Sequence, residues 1–261
     1  MKNTVMTRLF GGGASSLSSI RGIGAGSEPF CAAERRTVKS GFTLAEVLIT
    51  LGIIGVVAAM TLPSIIQKKH KKDMEVAFTK AYGALETAVY SLSPDTYASY
   101  AGDVAGQSTV FFDDLMKKYK ILKTGRWEQF YAKNNKIKIK TYTLNEGSQN
   151  ACVGLPKVIM TDGSAIQAIH NCFAQWIVID TNGPKKGPNA YGHDIFNFTL
   201  SDKGRIIPVG SPKYGHWEMR GNNTYCSKNS TNKQNGASCA YFAVSNTCPD
   251  DETKTYWECL P

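Results

Sequence analysis

The sequence predicts an α+β fold: a long N-terminal α-helix, its first half transmembrane, packed on an antiparallel β-sheet and followed by a disulfide-rich C-terminal region. Three observations carry that prediction. Residues 42–66 are strongly apolar with one charge, Glu46, and residues 74–92 then place Met74, Ala77, Phe78, Ala81, Tyr82, Leu85, Ala88, Val89 and Leu92 at intervals of three and four, the spacing of one helix face. From Trp127 onward, short runs with alternating polarity are separated by Asn, Asp and Gly, the pattern of strands and hairpins. Four of the seven cysteines lie within the last 36 residues.

The chain has 261 residues, with 42% hydrophobic and 20% charged side chains, enough for a folded domain plus an anchor and unlike a disordered composition. The formal charge of +9 is unevenly spread. Residues 1–41 carry six basic against two acidic side chains, and the remaining 220 carry 24 against 19. The excess left on the later part reads as a solvated face rather than a nucleic-acid footprint.

Residues 1–41 read as a leader, rich in Gly, Ser and Ala and ending in Arg35, Arg36, Lys39, Ser40 and Gly41, to be set aside from the fold. Residues 42–66 form the transmembrane or assembly helix. At ~1.5 Å per residue, 25 residues span a ~30 Å hydrocarbon core. Basic residues precede the stretch, and Lys68, Lys69, His70, Lys71 and Lys72 follow it, so charge alone leaves its orientation open. A carboxylate such as Glu46 in that setting costs about 2.5–3.5 kcal/mol and calls for a partner and a purpose; the lesser alternative is an interfacial Glu near the helix start, helped by the N-terminal dipole. Residues 67–126 hold the amphipathic half of the helix and the connection to the sheet. The helix is expected from about Phe42 to about Leu92, interrupted or bent at Pro63, with a short second helix over 111–119.

The sheet domain is 127–209. Strands are expected at 128–133 and 136–144, around Asn134 and Asn135, and at 153–160 and 164–172, around Thr161, Asp162 and Gly163. If that loop is three residues, paired positions sum to 324, which puts Cys152 opposite Cys172 and predicts a disulfide. Strands at 175–180, 195–200 and 205–209 complete the sheet. In the C-terminal region, 210–261, Cys226, Cys239, Cys248 and Cys259 allow three pairings; proximity favours 226–239 and 248–259. Removal of the leader takes Cys31 away and leaves six cysteines, the composition of three disulfides in an oxidising compartment.

The run Lys39, Ser40, Gly41, Phe42, Thr43, Leu44, Ala45, Glu46 resembles the cleavage and methylation motif of type IV prepilins, with Gly52, Gly55 and Pro63 where relatives carry small residues and a helix-breaking Pro. The resemblance implies a pilin-like fold and a type IV pilus subunit or type II secretion pseudopilin. It further implies cleavage between Gly41 and Phe42 by prepilin peptidase, N-methylation of Phe42, and pairing of the Glu46 carboxylate with the Phe42 ammonium of a neighbouring subunit. The implied partners are other pilin or pseudopilin subunits and the inner-membrane assembly platform, with the anchor in the inner membrane and the C-terminal domain periplasmic or extracellular. An ordinary signal peptide, cut after Val57, Ala58 and Ala59 or exported through Arg35 and Arg36, is the rival for this segment.

Asp180, Asn182, Asn189 and Asp194 offer hard oxygen donors for Ca²⁺ among turn-forming glycines, in a stretch similar in flavour to the calcium loop of major pseudopilins. The alternative is a rigid loop in which Asp180 and Asp194 cap turns. For catalysis, the candidates are His170 beside Cys172, His193 beside Asp194, and His216. A disulfide-bonded Cys172 is no nucleophile, and no hydrolase, zinc-protease or phosphate-loop motif appears, so the sequence reading is a non-enzymatic assembly subunit. An anchored extracytoplasmic binding protein or enzyme, and a DNA-uptake subunit of a competence pilus, stand as alternatives.

Overall fold

The structure, a computed structural model, describes residues 41–92, 108–126, 138–147, 156–170, 175–201, 203–213 and 223–261. The described residues fall into two units, one ending at Leu51 and the other beginning at Gly52.

Helix α1 runs from Leu44 to Tyr90. It continues through Pro63 without the expected interruption. Near the proline, which has no N–H to give, hydroxyls bond back along the helix: Thr61 Oγ1 donates to Val57 O at 3.0 Å and Ser64 Oγ to Thr61 O at 2.9 Å.

The second unit is built on a six-stranded antiparallel sheet in sequential order: β1 (Ile121–Arg126), β2 (Pro156–Met160), β3 (Ala165–His170), β4 (Gln175–Asp180), β5 (Ile195–Leu200) and β6 (Ile206–Pro208). The β2–β3 register follows the loop count, with Lys157 opposite Gln167, Val158 opposite Ile166 and Ile159 opposite Ala165. Gly163, at φ 91°, takes the left-handed position that closes the hairpin. Cys152 and Cys172 lie outside the described residues, as do the strand expected at 128–133 and His216.

Two expectations about the sheet are corrected. β1 precedes Trp127, in a segment read as a connection. The described part of 136–144 is not a strand. Ile139 and Tyr142 are both buried although alternation would set them on opposite faces, and the backbone is claimed by loops distant in sequence. Lys140 N donates to Asn189 O, Tyr142 N to Asn235 O, and Thr141 N to Asn145 O across a turn.

α1 lays Met74, Phe78, Leu85, Ala88 and Val89 on the sheet, where they join Val158, Ile166, Ile177, Ile179, Phe196, Phe198 and Leu200 in one core. Phe78 meets Phe196 edge-on at 4.5 Å and Trp257 at 5.5 Å. Helix α2 (Ser108–Met116) adds Phe111, Phe112, Leu115 and Met116.

The C-terminal region is less loop-like than composition suggests. It holds a 3₁₀ turn at Asn223–Tyr225 and helix α3 at Cys239–Ser245, whose Cys239, Ala240 and Ala243 are buried. Disulfides link Cys226 to Cys239 and Cys248 to Cys259, the pairing that proximity favours. The chain end is held on α1, since Lys71 Nζ donates to Leu260 O at 2.6 Å and to Glu258 O at 3.3 Å.

Candidate functional site

Gly41, Phe42 and Thr43 lead into the first turn of α1, and Phe42 is 89% exposed. A helix start leaves its first N–H groups without intrahelical partners. Here Thr43 and Glu46 answer one another. Glu46 N donates to Thr43 Oγ1 at 3.2 Å, while Thr43 N and Thr43 Oγ1 both donate to Glu46 Oε2 at 2.8 Å. This reciprocal arrangement is a capping box. Thr50 Oγ1 then donates to Glu46 O at 2.9 Å. The Glu46 carboxylate therefore has a partner within its own chain, at Oε2. The sequence reading looks for the partner of Glu46 in a neighbouring subunit and passes over Thr43, although the Thr-x-x-Glu spacing is a readable signal.

Beyond this turn, the apolar side chains of α1 stay exposed as far as Ile66. A Cβ added at Gly52 or Gly55 would meet nothing within 4 Å, so close packing inside the chain does not account for either glycine. By length and composition α1 is the one helix among the described residues able to cross a membrane.

Residues 36–62 match the family model of the prokaryotic N-terminal methylation motif. The chain carries the prepilin-type signature. No curated protein and no solved structure matches the chain. The signature supports a pilin-like or pseudopilin-like subunit, and together with α1 it fits a single-pass, membrane-anchored protein.

The loop between β4 and β5 brings Asp180, Asn182, Asn189 and Asp194 together. Asp180 Oδ1 accepts from Gly183 N at 2.7 Å and Asn182 N at 3.3 Å. Asp194 accepts from Asn189 N at 2.8 Å through Oδ2 and from Ala190 N at 2.7 Å through Oδ1. Both acids are buried, and each organises a turn. Gly183, at φ 81°, seats this loop on the β2–β3 hairpin, where an added Cβ would fall 1.8 Å from Gly163 O. Gly192, at φ 79°, rests against the Cys226–Cys239 bridge, 2.8 Å from Cys239 Sγ by the same measure.

Burial, reinforced by the Asp180 charge, pushes Asp194 up to about 7. Three buried oxygens of the loop, Thr181 Oγ1, Asn182 Oδ1 and Asn189 Oδ1, have no hydrogen-bond partner. Hard oxygens around buried negative charge have the chemistry of a Ca²⁺ donor set. Both Asp194 oxygens, however, already face backbone N–H groups, and no cluster of three or more acidic, His or Cys side chains forms among the described residues.

His193 is a core histidine. Nε2 donates to Tyr142 O at 2.8 Å, and burial pushes its pKa down to about 4. It is thus neutral across the physiological range. The backbone of His170 ends β3, whereas Cys172 is outside the described residues.

Proposed function

We propose that this chain is a membrane-anchored subunit that prepilin peptidase cuts between Gly41 and Phe42, that is N-methylated on Phe42, and that polymerises into a type IV pilus or a type II secretion pseudopilus. The observation that carries this is the methylation motif at 36–62 running directly into a helical stretch whose apolar side chains are exposed as far as Ile66. A helix apolar on every side needs lipid or neighbouring helices around it. It meets lipid before assembly and other subunits after it, on the inner-membrane platform, with the C-terminal domain on the periplasmic or extracellular side.

In that polymer, Glu46 pairs with the Phe42 ammonium of the next subunit. The capping box uses Oε2, and the residue is exposed, which leaves Oε1 for a neighbour. A carboxylate and an amine that both enter an apolar filament core are costly apart and favourable in register. Sequencing and mass analysis of the mature N-terminus test the reading. A start at N-methylated Phe42 supports it; a start at Met60 makes the segment an ordinary signal peptide and sinks it.

A Ca²⁺ ion in the 180–194 loop is a second reading, favoured by the three unpartnered buried oxygens beside Asp180 and Asp194. Binding to the folded state raises the melting temperature. Equal melts in Ca²⁺ and in chelator would leave the two acids as turn caps alone.

A further inference from the structure

The stretch after the membrane segment is strongly basic, and neither the methylation motif nor the sheet accounts for it. Lys68, Lys69, Lys71 and Lys72 fall within five consecutive positions, and the first acid is Asp73. Their side chains divide into two sets. Lys71 turns inward to the carbonyls of Glu258 and Leu260. Lys68 and Lys69 are exposed, with no hydrogen bond or ion pair among the described residues. Lys72 shares its charge with Glu75 at 2.9 Å yet stays 67% exposed.

Other elements add positive charge at the same level. Lys228, exposed in the C-terminal region, lies near enough to repel Lys71. Lys71, His70 and Lys140 all act electrostatically on His193. Acids also lie nearby, two of them holding neutral donors. Asp250 accepts from Ser227 Oγ and Lys228 N, and Glu258 accepts from Thr255. Asp73 is exposed and has no ion pair among the described residues.

Position then selects the partner. With a rise of ~1.5 Å per residue, Lys68 to Lys72 lie roughly 3–9 Å beyond Ile66 along the axis. The headgroup layer on each side of a bilayer is about 5–8 Å deep. We propose that the collar of Lys68, Lys69, Lys72 and Lys228 binds the phosphate groups of anionic phospholipid on the side of the bilayer that faces the sheet domain. This surface rests on the membrane-anchored reading of α1. Lysine stems reach along apolar surface and keep the ammonium among phosphates, and such contacts hold a subunit at a fixed depth.

The full chain, reconstituted in vesicles, tests both levels separately. Flotation with phosphatidylcholine alone reports the span. The bound fraction of spin-labelled phosphatidylglycerol against phosphatidylcholine reports the collar. The native chain is expected to float and to prefer phosphatidylglycerol, with the preference falling roughly fivefold for each lysine removed in K68Q and K68Q/K69Q. Flotation with no preference, or a preference that K68Q/K69Q leaves intact, overturns the collar but not the span. Failure to float overturns both. Loss of preference when inorganic phosphate is added at the lipid concentration makes this a free-anion site. Duplex DNA bound through the same lysines, without a lipid preference, assigns the collar to nucleic acid.

Discussion

Two stretches of α1 share one backbone and differ in what surrounds them. In the first, Leu44 is 77% exposed, Met60 76% and Ile66 61%; in the second, Phe78 is 4% exposed and Leu85 fully buried. The second stretch is apolar on one face only, so a single sheet satisfies it. The first is apolar around its circumference, and its surface calls for lipid or other subunits. Secondary structure is therefore a poor guide to role here, because the pattern around the helix decides which half stabilises the fold and which serves the assembly.

The largest expected effect breaks this comparison most directly. Phe78→Ala removes a ring packed on Phe196, Phe198 and Trp257, and is expected to cost about 3–5 kcal/mol of unfolding free energy. Ile54→Ala, on a side chain 63% exposed, is expected to change the stability of the monomer in detergent by less than about 0.5 kcal/mol. Urea unfolding of both variants in the same detergent measures the contrast, and equal losses would erase it.

A smaller loss should come from the C-terminal region. Cys226 and Cys239 are 13 residues apart in sequence, and their bridge underlies Gly192 of the ion-loop candidate. Replacing both with Ser is expected to cost about 3 kcal/mol, with the β4–β5 loop losing amide protection before the β2–β3 hairpin. Hydrogen exchange resolved by segment checks the order. Uniform loss across the sheet would show that the bridge acts on the whole unit.

How much of this could be read beforehand depends on how local the determining contact is. The β2–β3 register follows from Thr161, Asp162 and Gly163 alone, because a hairpin loop fixes its own pairing. Peptide mapping of Cys152 and Cys172 extends that register test to positions outside the described residues. β1 was illegible: Leu122, Lys123, Thr124 and Gly125 show no alternation, and the segment is a strand only because β2 lies beside it. The strand expected at 136–144 fails over its described part because the backbone partners there, Asn189 and Asn235, are remote in sequence. α3 is seven residues long, too short for periodicity to separate it from a disulfide-held loop. At the N-terminus, the Glu46 motif was plain, while its partner Thr43 was overlooked three residues away.

The acids of the β4–β5 loop offer a test by pH. Burial and the Asp180 charge hold Asp194 at about 7 in the fold, above its ordinary value of 3.8. A carboxyl with a raised folded pKa favours the folded state at low pH, and that contribution is lost as pH rises from about 4 through about 7. In chelator, the melting temperature is expected to fall over that window, and Asp194→Asn to flatten the fall. A flat profile for the native chain would mean that the two charges are already compensated within the loop.

The smallest expected effect on stability is also the sharpest division of roles, because Thr43 and Glu46 share one set of hydrogen bonds. Thr43→Ala removes the cap and should cost about 1 kcal/mol at the helix end, while the Glu46 charge remains available to a neighbour. Glu46→Gln keeps an oxygen for Thr43 N but removes the charge that a Phe42 ammonium would seek. If Glu46 serves assembly, T43A subunits should still enter the sheared filament or pseudopilus fraction, and E46Q subunits should not, with both folding normally in the membrane. If the capping box is its whole purpose, the two variants should be recovered alike, since each perturbs the same helix start. The capping box predicts helix fraying with either change; only the intersubunit pair predicts that the milder structural change, Glu46→Gln, is the one that stops assembly.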